Sequence, residues 1–318
     1  MARIAYLGPE GTFTEAALLQ ITAAGLVPDQ GSDGLQPLPI ESTSGALDAV
    51  RDREADYACV PIENSIDGSV TPTLDSLAIG SPLQVFAETT LDVAFSIVVQ
   101  PGRGAADVRT LAAFPVAAAQ VRQWVGANLA AAELRPAYSN ADAARQVAEG
   151  RVDAAVTSPL AAAHWGLAAL AEGVVDEPNA RTRFVLVGPP GPPPARTGAD
   201  RTAVVLRIDN APGALLAALA EFAIRGIDLT RIESRPTRTG LGIYRFFADC
   251  VGHIDDDPVA EALKALHRRC ADVRYLGSWP TGSPAGALPP ATDEALRWLA
   301  QLRDGQSEQI SKAGGLAP

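Results

Sequence analysis

Residues 189–200 read Pro-Pro-Gly-Pro-Pro-Pro-Ala-Arg-Thr-Gly-Ala-Asp, and this stretch divides the chain. Five of its twelve residues are proline; a ring that fixes φ and removes the N–H donor neither continues a helix nor joins the middle of a sheet. The stretch reads as a semi-rigid linker, and a domain boundary belongs there.

Upstream, from Ile4 to Gly188, short apolar runs alternate with alanine-rich segments of helical period. The pattern predicts strands over 4–7, 38–40, 57–61, 83–90, 95–99, 134–138, 154–156 and 184–187, with helices over 14–22, 44–51, 115–128 and 140–149. Strands alternating with helices imply an α/β domain of parallel, doubly wound sheets, which bind ligands at the carboxyl ends of their strands. Thr12, Ser44 and Asn140 stand where helices start, each with a side-chain oxygen suited to accept from first-turn N–H groups. Such helix ends also favour anions.

Downstream, the predicted order is strand 202–208, helix 213–225, strands 227–234 and 242–251, helix 258–269 and strand 273–278. This βαββαβ succession is the ferredoxin-like arrangement. The reading therefore divides the chain into 1–188, the linker 189–200, a second domain over 201–280, and a tail over 281–318. The tail carries a short helix over 292–303 and an expected mobile end from Gly305.

A formal charge of −11 over 318 residues opposes a nucleic-acid surface, which needs clustered lysine and arginine. The first residues read as a strand rather than a signal segment, and no apolar run has spanning length, so a cytoplasmic, membrane-free protein is expected. Cys59, Cys250 and Cys270 and the three histidines, His164, His253 and His267, lack metal-ligand spacing; the expectation is reduced packing cysteines and no metal.

Three stretches concentrate polar groups at strand ends. Gly8-Pro-Glu-Gly-Thr-Phe-Thr14 opens a helix but lacks the glycine spacing of dinucleotide and P-loop motifs, so it suits a carboxylate better than a nucleotide. Val60-Pro-Ile-Glu-Asn-Ser65 places Glu63, Asn64 and Ser65 beyond a strand, where a solvated loop is the competing reading. Arg181-Thr-Arg-Phe184 sets a threonine between two arginines.

Together these motifs resemble prephenate dehydratase, and the second domain resembles its regulatory ACT domain through Gly213-Ala-Leu-Leu216 and Glu233-Ser-Arg-Pro236. The resemblance covers residues 1 to about 280. It implies a two-lobed catalytic domain, like a periplasmic binding protein, that converts prephenate to phenylpyruvate in phenylalanine biosynthesis without metal or organic cofactor.

It further implies that Thr182 is the essential threonine. A threonine hydroxyl is too weak an acid to surrender a proton unaided, so its expected role is hydrogen bonding to the leaving oxygen. Glu63 is the candidate acid, with a structural role as the alternative. Asn64 is read as orienting substrate, Arg183 as pairing with a carboxylate, and Arg181 as a surface residue. Thr12, Phe13, Ser65, Phe184 and Gln120 complete the expected substrate contacts. Where the family often carries Ser-His-Pro-Gln, this chain reads Ala113-Phe-Pro-Val116, while Gln120 is kept.

The regulatory segments, Gly213, Ala214, Leu215 and Leu216 with Glu233, Ser234, Arg235 and Pro236, are implied to bind phenylalanine across a subunit interface. A homodimer or homotetramer is the expected assembly. Arogenate dehydratase and a non-catalytic amino-acid sensor are the competing readings.

Overall fold

The computed structural model describes residues 1–28, 34–237, 240, 242–283, 285–290 and 293–305. Two mixed sheets form the N-terminal region. The first combines β1 (Ala2–Leu7), β2 (Leu35–Ile40), β3 (Tyr57–Asn64), β5 (Gln84–Asp92) and β11 (Arg181–Gly188) in the order β2-β1-β3-β11-β5, with β4 (Gly68–Ser69) on β3. Its helices are α1 (Phe13–Ala23), α2 (Thr43–Arg51) and α3 (Thr71–Ala78). The second contains β6 (Phe95–Val99), β7 (Thr110–Ala113), β8 (Glu133–Pro136), β9 (Ala154–Thr157) and β10 (Ala168–Val174) in the order β10-β6-β9-β7-β8. It carries α4 (Pro115–Gln120), α5 (Arg122–Asn128), α6 (Asn140–Ala148) and α7 (Pro159–His164).

The chain leaves the first lobe after β5 and returns to it through β11, so two crossovers join the lobes. Returning from the far side, β11 runs antiparallel to both β3 and β5. β6 is likewise antiparallel to β9 and β10. This corrects the expectation of parallel sheets: alternation of strands and helices does not reveal a strand that comes back from another lobe.

Local chemistry explains most element ends. Thr12 caps α1 as expected, its oxygen accepting from the Glu15 N–H. Ser42 and Ser139, rather than Ser44 and Asn140, cap α2 and α6, because they hold the extended backbone that lets a hydroxyl reach back to Gly45 N–H and Asp142 N–H. The predicted helix over 115–128 breaks at Val121, whose φ of −125° and ψ of 14° leave the helical region.

The third sheet holds β12 (Asp200–Arg207), β13 (Leu229–Pro236), β14 (Tyr244–Val251) and β15 (Asp272–Pro280) in the order β13-β14-β12-β15. With α8 (Ala214–Ala223) and α9 (Asp257–Arg269) it forms the βαββαβ unit. A further helix, α10, spans Asp293–Arg303; the expected end beyond residue 305 lies outside the described residues.

Strand alternation gives this sheet two destinations. Val204 and Leu206 face α8 and α9, whereas Ala203 and Val205 enter one core with Val185, Val187 and Val85 of the first lobe. Phe247, Leu276 and Trp279 join that core. At Gly277 an added Cβ would overlap the Val85 carbonyl, so two backbones meet where only glycine fits. The proline stretch is thus no spacer. It runs along the surface, with the Gly191 N–H on Gln84 and the Pro194 carbonyl 3.0 Å from His253 Nε2.

Candidate active site

The carboxyl ends of β1 and β2 face those of β7 and β8 across a cleft of about 700 Å³. Thr12, Phe13 and Glu41 line one wall, and Phe114, Asn140 and Arg145 the other. Two helices, α1 and α6, begin at this cleft, and the positive ends of their dipoles favour anions there. The walls are held together at one end: Ser158 donates to the Gly11 carbonyl, and Gly11, at φ +85°, approaches Ala161 so closely that a Cβ would sit 2.7 Å from that side chain. Phe13 meets Phe95 edge to face at 5.7 Å, a second apolar contact across the lobes.

Thr182 occupies the start of β11, beside the crossover and opposite Asn64 at the end of β3. A register shift between Arg183 and Phe184 marks a bulge in β3 that re-aims its last residues. Asn64 Oδ1 accepts from the N–H groups of Ile66 and Asp67, at 2.8 and 3.0 Å. Those donors fix the amide's orientation, so its Nδ2 must point the other way, and it donates to Thr182 Oγ1 at 2.9 Å. Thr182 is 9% exposed. Its oxygen is engaged as an acceptor, which leaves its own proton for a third group.

Alternation sends the neighbouring side chains to the opposite face. Arg183 is 7% exposed, with its guanidinium 2.7 Å from Asp249, 3.2 Å from Glu63 and 3.4 Å from Glu88. Arg183, expected to pair with a substrate carboxylate, faces the third sheet and is surrounded by the protein's own carboxylates. Burial acts to lower its pKa, but Asp249 and Glu88 more than offset this and hold it above the ordinary value. Glu63, the candidate acid, pairs with Arg183 on that same face, away from Asn64. Phe184 lies in the core with Leu18 and Ile21 rather than in the cleft.

The remaining candidates divide between cleft and scaffold. Thr12 donates to the Leu7 carbonyl while capping α1. Ser65 accepts from the Arg181 N–H and donates to the Asn179 carbonyl, which ties it to the crossover. Arg181 pairs with Asp92 at the surface. Gln120 lies in a second compartment of about 530 Å³ beside Ile66 and Arg122; it is buried, and its Oε1 has no hydrogen-bond partner among the described residues.

Sequence reasoning missed Arg145 and its neighbours. Arg145 pairs with Asp142 at 2.6 Å at the cleft. Burial raises the Asp142 carboxyl, but the Arg145 bond, the Tyr138 N–H and Gln146 outweigh it and keep the group below its usual range. The signal was present: Tyr138 to Asp142 follow β8 as Gly8 to Thr12 follow β1, so the strand-end rule applies equally to both lobes. Among the described residues, no group of three or more His, Cys, Asp or Glu side chains is placed to hold a metal ion.

The prephenate dehydratase family model matches residues 4–191, and the ACT domain model matches residues 202–268. A prephenate dehydratase of Mycobacterium avium (strain 104) is 87% identical over 308 residues, covering 97% of this chain and 98% of its own. The chain belongs to the prephenate dehydratase family. Among solved structures, a prephenate dehydratase from Arthrobacter aurescens in complex with L-Phe is 41% identical, with a TM-score of 0.83, covering 95% of this chain and 100% of that one. GqqA, described as a quorum-quenching acylase, is 30% identical with a TM-score of 0.76, covering 87% of this chain and 97% of its own. One backbone thus carries two differently named activities, so the chemistry has to be argued from side chains.

In this prephenate dehydratase family member the ACT segments have distinct surroundings. Gly213 enters α8 at φ +78°, and Ala214 and Leu215 begin the helix. Leu216 is 73% exposed. On β13, Glu233 accepts from Ser69 Oγ at 3.2 Å, and Arg235 makes two 3.0 Å bonds to Asp75. Those two side chains of the Glu233–Pro236 segment lie against the catalytic domain, whereas Ser234 alternates to the other face. Pro236 ends the strand, as its missing N–H predicts.

Proposed function

We propose that this chain converts prephenate to phenylpyruvate, and that phenylalanine regulates it through the ACT domain. The reaction takes up one proton. The ring hydroxyl leaves as water, the ring carboxylate leaves as carbon dioxide, and the electron pair of the broken carbon–carbon bond makes the ring aromatic. Hydroxide is a poor leaving group, so the enzyme's task is to direct a hydrogen bond at the departing oxygen while holding a dianion.

The observation that carries this reading is the Asn64–Thr182 pair. Asn64 donates to the threonine oxygen and leaves the threonine O–H as a neutral donor at the crossover between the lobes. In this reading Thr182 bonds the leaving hydroxyl, and water delivers the proton, since Glu63 is turned away. Arg145 and the starts of α1 and α6 meet the carboxylates, which replaces the role expected for Arg183. Positioned acid catalysis of this kind contributes about 10²- to 10⁴-fold in rate.

Dimerisation is proposed through the ACT domain, where Leu216 and Ile224 are each 73% exposed and β13 is a sheet edge. A second copy would cover these apolar groups and bring the turn at Gly213 to the partner's Ser234 side, where an amino acid's carboxylate can meet the N–H groups of the turn.

The test is phenylpyruvate production by the purified chain from prephenate and from arogenate, with and without L-phenylalanine, alongside Thr182→Ala. The expected result is turnover of prephenate, a response to L-phenylalanine, and a kcat reduced at least about a hundredfold in the variant with a smaller change in KM. Turnover no faster than acid-catalysed breakdown would instead favour a sensor.

A further inference from the structure

We infer that Asp249, a residue of the ACT domain, is a positioning residue for the Thr182–Asn64 pair and acts through Arg183. The inference rests on the assignment of that pair to the reaction.

Arg183 adjoins Thr182 in the chain and lies opposite Glu63, which adjoins Asn64. Its guanidinium therefore spans the three strands behind the pair: its own β11, β3 through Glu63 and β5 through Glu88. What anchors that guanidinium from outside the catalytic domain is Asp249, at 2.7 Å and 1% exposed. Asp249 is itself gripped by both forks of Arg231, Nε on Oδ2 at 3.0 Å and Nη2 on Oδ1 at 2.8 Å. Two bonds to a planar fork leave the carboxylate no freedom to swing.

The cluster balances. Arg183, Arg201 and Arg231 face Glu63, Glu88 and Asp249, and the Trp279 indole N–H donates to Glu88 at 2.9 Å. Buried ion pairs are weak sources of net stability compared with apolar packing. Cohesion between the domains is already supplied by the shared core of Val185, Val187, Phe247 and Trp279. The charges add direction: they fix where Arg183, and hence the backbone at Thr182, sits. Without the carboxylate, Arg183 would settle towards Glu63 and Glu88 and turn β11 with it.

A second contact reaches the other member of the pair. Ser69, opposite Glu63 in the short hairpin that follows Asn64, donates to Glu233. Residues 231, 233 and 235 alternate onto one face of β13, so one regulatory strand holds both sides of the catalytic pair.

The experiment measures kcat, KM and urea midpoints in the full-length chain for Asp249→Asn, Arg231→Lys, Thr182→Ala, the double variant Thr182→Ala/Asp249→Asn, and Phe222→Leu. Phe222 is buried on the helix side of the same sheet, away from the charges, and controls for lost stability. Asp249→Asn and Arg231→Lys are expected to lower kcat about ten- to a hundredfold, the scale of a small misplacement of a reacting group, with KM within about twofold. Phe222→Leu should keep the parent kcat despite a lower urea midpoint, and Asp249→Asn should cause no further loss once Thr182 is alanine.

Unchanged kcat in folded Asp249→Asn, losses that multiply in the double variant, or a kcat that tracks stability in Phe222→Leu would each overturn the inference. Should Asp249→Asn not fold, Arg231→Lys, which preserves the charge count, decides alone. Normal turnover by Thr182→Ala would overturn the assignment of the pair itself, whereas a crippled Thr182→Ala beside an unaffected Asp249→Asn removes Asp249 only.

Discussion

A hydroxyl with pKa far above neutrality contributes to an elimination only as an oriented donor, and the orientation of Thr182 is decided by Asn64. Two backbone N–H groups hold the Asn64 carbonyl, so the amide nitrogen has one direction left. Asn64→Asp keeps the acceptor for Ile66 and Asp67 but replaces the donor with a carboxylate, which would then accept the threonine proton. Steady-state kinetics should show kcat down about ten- to a hundredfold with the fold intact; near-parent turnover would show that the amide does not set the hydroxyl's direction. The motifs singled out Thr182 and Asn64, and the structure brings their side chains into one hydrogen bond. Their motif neighbours Arg183 and Glu63 pair with each other towards the third sheet, because adjacent strand residues point to opposite faces.

At the scale of elements, the first β-to-α turn does more than cap a helix. Gly11 brings the turn against α7 of the other lobe, in a backbone region that disfavours side chains and with no room for a Cβ. Gly11→Ala should therefore separate the lobes locally. The expected result is a several-fold rise in KM for prephenate and a loss of about 1–3 kcal/mol in urea unfolding. Unaltered kinetics and stability would mean that the turn is free to move away from Ala161. The sequence marked Gly11 as part of a motif, but its partner is 150 residues away in the chain and no local pattern links them.

Across the whole molecule, the regulatory sheet completes the core and the charge balance of the catalytic domain. Deletion of residues 200–318 would expose Val85, Val185 and Val187 and leave Arg183 without Asp249. The truncated chain should aggregate or lose cooperative unfolding, measurable by light scattering and calorimetry; a soluble, cooperative fragment would contradict this. Proton linkage offers a gentler probe. Burial raises the Asp249 carboxyl, but Arg231 and Arg183 overcome it and depress the group well below the usual carboxylate range. A depressed folded pKa means that its stabilisation is complete above the unfolded value of about 3.9 and is lost as pH falls below it. The stability difference between the parent and Asp249→Asn should be constant from pH 7 to about 5 and shrink below that; a difference independent of pH down to about 2 would remove the linkage.

The sequence by itself determined what is local: most strands and helices, though not β4, β7, β10, α3 or α7, the βαββαβ order, the Thr12 cap and the Gly8–Thr14 turn that lines the cleft. Hydrophobic period, proline and capping chemistry act within a few residues and are written in the order of the chain. Only the tertiary structure decided that β11 returns antiparallel from the second lobe, that Arg145 lines the cleft while Arg183 faces the third sheet, and that Asp249 reaches the back of β11. Those facts depend on which faces meet across long separations, and buried charges find their partners only once the sheets have packed.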